Sequence, residues 1–206
     1  MKVLVACEFS QIVTRAFRDK GHEAYSCDII PTEGNPVWHI QDDVLKHLND
    51  GWDMMIAHPP CTYLTYAGTR FWNEPQRYKK RLTAIIFFME FVDARIERIC
   101  IENPFGIMEQ IYRPSDQEIH PYYWGDSNLK RTCLWLKNLP KLTYQLQDDL
   151  FSLATACTKP EPLSIDSTPK HHKRYFTDSK IRDSFLRAKT FDGIANAMAD
   201  QWGELI

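Results

Sequence analysis

The hydrophobic pattern at the start of the chain predicts alternating strands and helices. Residues 2–7, "KVLVAC", predict a first strand, and "SQIVTRAFRDKGHE" places apolar residues on one helix face, with Ser10 as N-cap and Gly21 at the end. Residues 24–30, "AYSCDII", predict a second strand with the acidic Asp28 near its C-terminal end. Such a β–α–β opening is the repeating unit of a parallel sheet.

The alternation continues through the middle of the chain. The segment 40–48, "IQDDVLKHL", places the acidic pair Asp42 and Asp43 just before a short helix, and 52–57, "WDMMIA", predict a buried strand that ends at "HPPC". A long amphipathic helix is expected over 75–94 with a proline in its first turn, and a strand over 98–103 ends in Glu-Asn. This order predicts the fold class α/β, with a doubly wound, mostly parallel sheet.

The pattern changes after residue 110. Shorter β-like pieces are expected at "HPYYWGD", "RTCLWLK" and "LPKL", and "TFDGIANAMADQW" predicts a closing helix. Residues 155–180 are rich in Pro, Ser, Thr, Lys and His without periodicity, which predicts a loop. We therefore expect a single domain over 1–206, with an extended loop or small substrate-facing insertion over 138–185.

Composition and charge narrow the class of protein. The chain of 206 residues has a net charge of −2, with 44% hydrophobic and 25% charged residues, as in a soluble globular protein. Any contact with nucleic acid must therefore come from a local patch. No apolar run reaches the about 18 residues of a membrane span. The first residues resemble a strand more than a signal peptide, so the cytoplasm is the expected location.

The six cysteines are scattered without a C-x-x-C pair, which predicts reduced thiols and no metal site. A zinc site from Cys157, His171 and His172 is a weaker alternative, because adjacent histidines are more often solvated. Cys61 stands out because Pro59-Pro60 places it on a stiff loop at a strand end, where open α/β sheets bind ligands. That Cys61 is an ordinary buried residue is an equally weighted alternative.

Polar residues at other strand ends suggest specific chemistry. A carboxylate such as Asp28 at the end of a second strand suits ribose hydroxyls, although it could also simply cap a loop. The turn "CEFSQIV" lacks G-x-G, which favours a cofactor with a ribose but no phosphate, such as S-adenosylmethionine. A cysteine and a glutamate, here Cys61 and Glu102, can together activate C5 of a pyrimidine: a thiolate adds at C6 while a carboxylic acid engages N3.

At this point the sequence resembles the cytosine-C5 DNA methyltransferases, and most closely their short, phage- or prophage-borne members. The resemblance covers the whole chain and rests on segments that follow the order of that family: "ACEFSQ", "CDI", "DDV", "HPPC", "IENP", "KRTCLW" and "GIANAMA". It implies the Rossmann-like fold of S-adenosylmethionine-dependent methyltransferases, S-adenosylmethionine as cofactor and DNA as partner. It also implies methyl transfer to C5 of a flipped cytosine, in the cytoplasm of a bacterial host.

The resemblance also assigns roles to individual residues. Cys61 would be the nucleophile, Glu102 would engage cytosine N3 and Arg131 would lie against the target base. The cofactor would be held by strand-end loops and the last helix, namely by Glu8, Phe9 and Ser10 around the adenosyl group, Asp28 and Ile29 at the ribose, Asp43 at the adenine amine, Pro60 between methyl donor and base, and Asn196 and Ala197.

The sequence departs from the family pattern in ways that bear on function. Gln11 and Asp42 stand at glycine positions, Thr62 replaces a common glutamine, and 138–185 is too short for a target-recognition domain. Sequence specificity would then be low, or come from a partner or a second copy of the chain.

Aromatic and basic residues give local support for DNA. The stretches 76–81 and 169–175 combine basic and aromatic residues, although each could be a solvated face. A flipped base could be walled by aromatic residues near the Pro-Cys loop and after residue 120, namely Tyr63, Tyr66, Trp72, Tyr122, Tyr123 and Trp124.

Two other functions stay open. The same cysteine–glutamate chemistry could act on a free nucleotide, RNA or an already modified base. A degenerate methyltransferase fold could instead bind nucleic acid or a host restriction component as a decoy, without catalysis.

Overall fold

The computed structural model describes residues 1–66, 71–126, 128–144 and 188–205, together with the backbone of 164–165 and 173–174. Its centre is a seven-stranded sheet. The strands are β1 (Lys2–Ala6), β2 (Glu23–Cys27), β3 (His39–Ile40), β4 (Met54–Ala57), β5 (Arg98–Pro104), β6 (Gln117–Ile119) and β7 (Thr132–Lys137). Two further strands, β8 (Ser164–Ile165) and β9 (Lys173–Arg174), pair antiparallel with each other.

The strand order is β3-β2-β1-β4-β5-β7-β6. The first five strands of that order are parallel, and β7 runs antiparallel to both of its neighbours. The C-terminal ends of β1, β2, β4 and β5 therefore meet at one edge of the sheet, which we call the C-terminal edge. The beginning of β7 lies at the same edge, because Thr132 pairs with Pro104 at the end of β5.

Helices cover both faces of the sheet. Two of them, α1 (Ile12–Asp19) and α4 (Asp192–Gly203), pack against each other on one face. On the other face lie α2 (Pro75–Val92) and the short α3 (Met108–Ile111). Along β5 the side chains alternate between the two cores, as expected of a strand buried on both faces. This confirms the predicted fold class, an α/β fold with a doubly wound, mostly parallel sheet.

The apolar residues of the helices account for this arrangement. In α2, Phe88 and Phe91 are fully buried, and the Phe88 ring meets the Trp135 ring edge-on at 5.2 Å between centroids. In α4, Trp202 is fully buried in the opposite core, which it shares with Phe17 of α1. None of the helices in the described ranges is long and apolar enough to cross a membrane.

Several local predictions differ from the structure. The first helix begins at Ile12 with Gln11 at its N-cap position, so Ser10 is not the N-cap. The short helix predicted after Asp43 does begin there, but it is a single 3-10 turn over Val44–Lys46 and not an α-helix. The piece "HPYYWGD" forms a 3-10 turn over Pro121–Trp124, because proline starts the turn without a donor and Gly125 ends it with a φ of 84°. Most of the loop predicted over 138–185 lies outside the described residues.

Candidate active site

The Pro-Cys loop begins where β4 ends. The backbone N–H of His58 still donates to the Ala6 carbonyl of β1 at 2.9 Å, and the two prolines that follow cannot extend the ladder. Pro60 is exposed and Cys61 is half-buried. The Cys61 carbonyl accepts from the N–H groups of the residues three and four positions later, at 2.9 and 3.0 Å. Cys61 is therefore held at the start of a turn on the C-terminal edge.

Two hydrogen bonds tie this loop to the end of β5 and the residues after it. The Asn103 side-chain amide donates to the Pro59 carbonyl at 2.7 Å, and the Ile107 N–H donates to the Leu64 carbonyl at 2.8 Å. Gly106 permits this close approach, because a Cβ there would lie 2.2 Å from the Leu64 carbonyl oxygen. The predicted pair of Cys61 and Glu102 therefore comes from two neighbouring strand ends that are bonded to each other.

Glu102 lies in a site that controls its charge. Its side chain is 13% exposed, and His58 Nδ1 donates to its Oε2 at 2.9 Å. Burial alone would raise the pKa of the Glu102 carboxyl, but the positive charge of Lys130 and the His58 hydrogen bond outweigh burial and hold that pKa below its ordinary value. At neutral pH Glu102 is thus a buried, partnered carboxylate.

The sequence prediction missed His58 and Lys130. His58 comes directly before the two prolines, so its position at a strand end was a usable signal. Its side chain is 7% exposed, and its Nε2 has no hydrogen-bond partner among the described residues. Among the described residues, the buried Oδ1 of Asn103 and the buried hydroxyl of Tyr66 also have no hydrogen-bond partner. Because buried polar atoms are normally satisfied, these three atoms suggest that a polar ligand completes the site.

Arg131 is at the predicted edge but is engaged by protein groups. It comes just before β7, and its guanidinium lies 3.8 Å from the centroid of the Phe105 ring. Its Nη2 also pairs with Glu118 Oε2 at 2.5 Å. The side chain is 48% exposed, so it faces solvent at the rim.

The β1–α1 loop places Glu8 in a structural role. Glu8 is 4% exposed, and its carboxylate accepts from the Val13 N–H at 2.7 Å and from the Thr14 N–H and hydroxyl at 3.2 and 2.6 Å. These bonds satisfy the first N–H groups of α1. The geometry therefore does not support the predicted contact of Glu8 with a cofactor. Phe9 and Ser10 are also buried, at 8% and 7% exposure.

Gln11 stands at a position where the resemblance predicts a glycine. Its φ is 58° in the left-handed region, which glycine adopts without strain. Its side chain is fully buried, donates to the Ser26 hydroxyl at 3.0 Å and to the Asn35 carbonyl at 2.9 Å, and accepts from the Asn35 N–H at 2.7 Å. The side chain thus fixes the segment around Asn35 to the β1–α1 loop, a gain that offsets the backbone strain.

The predicted ribose and adenine residues follow β2 and β3. Asp28 is half-buried and accepts from the Ile30 N–H at 3.2 Å, and burial is the main cause that raises its pKa. Ile29 beside it is 73% exposed, an unusual position for a large apolar side chain. Asp43 is exposed and caps the following 3-10 turn by accepting from the Leu45 N–H at 3.1 Å.

The last helix approaches the same edge through the residues before it. Lys189 pairs with Glu33 at 2.5 Å and lies 5.9 Å from the centroid of the Phe9 ring. Of the residues predicted to reach the cofactor, Asn196 is exposed on α4 and Ala197 is 6% exposed. The contact with the β1–α1 loop is therefore made by Lys189, which the sequence prediction did not include.

The four other cysteines in the described ranges have raised thiol pKa values. Burial raises the pKa of Cys27 and Cys133 to about 12, and it also raises the pKa of Cys7 and Cys100. Those four thiols stay protonated at neutral pH. Within the ranges that the structure describes, no group of His, Cys, Asp and Glu is arranged to hold a metal ion. The zinc alternative with Cys157 falls outside these ranges.

Comparison with known proteins gives one kind of match. No protein-family model matches the chain, and no curated protein matches it. Among solved structures, 44 chains match. One is an E. coli protein described as a DNA modification methyltransferase encoded within a prophage, with 14% sequence identity and a TM-score of 0.42. The match covers 65% of this chain and 45% of that one, so the chain spans less than half of that structure's length.

Proposed function

We propose that the protein is an S-adenosylmethionine-dependent methyltransferase that acts on C5 of cytosine in DNA. The observation that carries the proposal is the joined pair of strand ends: Asn103 bonds the Pro-Cys loop to β5 at 2.7 Å, which holds Cys61 and Glu102 at one edge. A thiol and a partnered carboxylate at neighbouring strand ends are the groups that pyrimidine C5 chemistry requires.

Each group has a defined task in this chemistry. Glu102, a carboxylate in the free protein, takes up a proton from solvent as the cytosine binds. The Cys61 thiolate then forms a bond to C6, and the electron pair of the ring shifts to N3, which takes that proton from Glu102. C5 then has enamine character and attacks an electrophilic methyl group, which S-adenosylmethionine would supply when bound. Loss of the C5 proton to a base lets the S–C6 bond break, and N3 returns its proton to Glu102. Thiolate and carboxyl are thus regenerated.

His58 and Lys130 act on the carboxyl rather than on the base. As Glu102 gives its proton to N3 it becomes negative, and the His58 Nδ1–H at 2.9 Å and the charge of Lys130 stabilise that anion. The same contacts hold Glu102 in one orientation. His58 is therefore a positioning residue that makes Glu102 a stronger acid.

The residues after β2 fit a nucleoside cofactor without phosphate. The first N–H groups of α1, which hold phosphate in many nucleotide-binding proteins, are taken by the carboxylate of Glu8. Asp28 remains at the C-terminal edge as an acceptor for ribose hydroxyls, and exposed Ile29 offers an apolar surface beside it. Phe9, Pro60 and Asp43 are the further candidates, as the resemblance to the cytosine-C5 DNA methyltransferases implies.

DNA as the substrate is supported by local charge. The stretch 76–81, "QRYKKR", begins α2, and Lys79 and Lys80 are exposed there on a chain with a net charge of −2. The second basic stretch, 169–175, lies largely outside the described residues. That specificity comes from a partner or a second copy stays a prediction.

The test is nucleoside analysis by mass spectrometry after incubation with S-adenosylmethionine and cytosine-containing DNA. We expect 5-methyldeoxycytidine from the wild type and none from Cys61→Ser or Glu102→Gln. Thr62→Ala, an exposed neighbour, is the matched control and should retain activity. Methylation of free nucleotide or RNA but not DNA would favour the nucleotide-level alternative, which the negative net charge supports. DNA binding without any methylation would favour the decoy.

A further inference from the structure

Three aromatic rings and two cations form a continuous row along the C-terminal edge. The row, which we call the edge row, consists of Arg131, Phe105, Tyr66, Trp72 and Arg81. Arg131 lies 3.8 Å from the Phe105 centroid, and Phe105 and Tyr66 are 5.6 Å apart. The Tyr66 and Trp72 rings are 5.5 Å apart, and Arg81 lies 4.2 Å from the Trp72 ring.

The backbone of the candidate site holds the edge row in place. Phe105 follows Glu102 by three residues, and Tyr66 follows Cys61 by five, so the rings stand on the same two loops as the candidate catalytic groups. An antiparallel bridge between Thr65 and Gly106 locks those loops together. At the far end, Arg81 donates to the Trp72 carbonyl at 3.2 Å.

One end of the edge row is more exposed than packing alone requires, whereas Tyr66 and Trp72 are half-buried against the core. Phe105 is 37% exposed and the Arg131 side chain is 48% exposed, although large aromatic rings gain most when buried. Next to the row, Arg77 lies 5.3 Å from the Tyr63 ring centroid and Lys80 lies 5.8 Å from it. The surface beside Cys61 therefore combines open ring area with positive charge.

We propose that the edge row binds single-stranded nucleic acid on either side of the target base. The proposal rests on the function proposed above and names the form of its substrate. Aromatic faces stack on unpaired bases of any sequence, and cations at both ends contact phosphates. In a duplex the base faces are already stacked on each other and cannot reach the rings. A single strand also avoids the cost of a few kcal/mol for extruding a base.

Stacking should contribute more to affinity than charge. Glu118 pairs with Arg131 at 2.5 Å and partly neutralises that end of the row. Of the two cations in the row, Arg81 is then the one without an ion pair among the described residues, so few counterions should be released. We expect a shallow salt dependence of binding. For each phosphate contacted, log K should fall by about 0.7 for a tenfold rise in salt concentration.

The test measures fluorescence anisotropy of labelled oligothymidine, single-stranded and as a duplex with oligoadenosine. We expect tighter binding of the single strand. Phe105→Ser should weaken it about 5- to 150-fold, because stacking contributes about 1–3 kcal/mol per base. Phe105→Trp should restore it. Ile111→Ser, which changes an apolar side chain that is 53% exposed on α3, is the control and should bind like wild type. Thermal unfolding confirms that each variant is folded.

The outcomes separate this inference from the proposed function. Oligothymidine contains no cytosine, so tight, Phe105-dependent binding would support the edge row even if no methylation were ever detected. Equal or tighter binding of the duplex, or unchanged binding by Phe105→Ser, would overturn the edge row while leaving cytosine methylation of a duplex possible.

Discussion

Replacing His58 by phenylalanine should destabilise the protein in a pH-dependent manner. The substitution keeps a ring of similar size but removes the donor that lies 2.9 Å from Glu102. Both side chains are buried, with 7% and 13% exposure, so solvent screens their interaction little. A hydrogen bond to a charged group contributes about 1.5–3 kcal/mol, and we expect the free energy of unfolding at pH 7 to fall by about that amount.

The direction of the pH dependence follows from the pKa of Glu102. In the wild type this pKa is below its unfolded value, so the ionised carboxylate stabilises the fold above the unfolded pKa. That stabilisation is lost as the pH falls through the folded pKa. In His58→Phe, burial is opposed by Lys130 alone and the pKa rises, so the stabilisation at neutral pH is lost. The difference between the two proteins should therefore shrink on acidification.

Urea unfolding of both proteins at pH 7 and pH 4 measures this difference. His58→Asn is the control, because its amide nitrogen can take the place of Nδ1 and donate to Glu102, and it should recover most of the lost stability. A loss that is equal at both pH values, or one that His58→Asn does not recover, would show that His58 contributes only packing and would refute the electrostatic reasoning.

Three further substitutions test other parts of the structure. Asp28→Asn should raise the melting temperature at pH 7, because burial raises the pKa of Asp28 and its ionised form costs stability. This gain should shrink as the pH falls through that pKa. In the same variant, S-adenosylmethionine binding measured by calorimetry should weaken. Gln11→Gly should lower the free energy of unfolding in urea by about 1–3 kcal/mol, because three lost hydrogen bonds outweigh relief of the left-handed backbone strain. Gln11→Ala should lower it further, since alanine keeps that strain. A glycine variant more stable than wild type would contradict this. Gly106→Ala should cost at least about 1–3 kcal/mol in the same assay, because its Cβ would lie 2.2 Å from the Leu64 carbonyl oxygen, and wild-type stability would show that the two loops are not in contact.

The parts of the fold with strong periodicity were predictable. The helix expected over 75–94 is observed over Pro75–Val92, with proline at its first position as its geometry favours. The closing helix begins at Asp192, within two residues of the predicted start. The start of α1 at Gln11 was not predictable. The Glu8 carboxylate that bonds the first N–H groups of α1 does not have the spacing of a known capping motif, and the Gln11 partners Ser26 and Asn35 are distant in sequence.

For the site, the residue types were predictable but their contacts were not. A proline after each strand placed Cys61 and Glu102 at strand ends, and parallel pairing of β4 with β5 brings those ends together. His58 was missed because a histidine at a strand end has no fixed meaning until its partner is known. The edge row was missed for a similar reason: Phe105 and Tyr66 come from different loops, and only the tertiary approach at Gly106 places their rings 5.6 Å apart.

The most direct measurement is intact-mass analysis of the protein after incubation with S-adenosylmethionine and a single-stranded oligonucleotide that contains 5-fluorocytosine. Fluorine at C5 cannot leave as the proton does, so the S–C6 bond cannot break once methyl transfer has occurred. We expect a covalent, methylated protein–oligonucleotide adduct that maps to the peptide containing Cys61 and is absent from Cys61→Ala. A folded protein that binds the oligonucleotide but forms no adduct, or an adduct that persists in Cys61→Ala, would contradict the proposed mechanism.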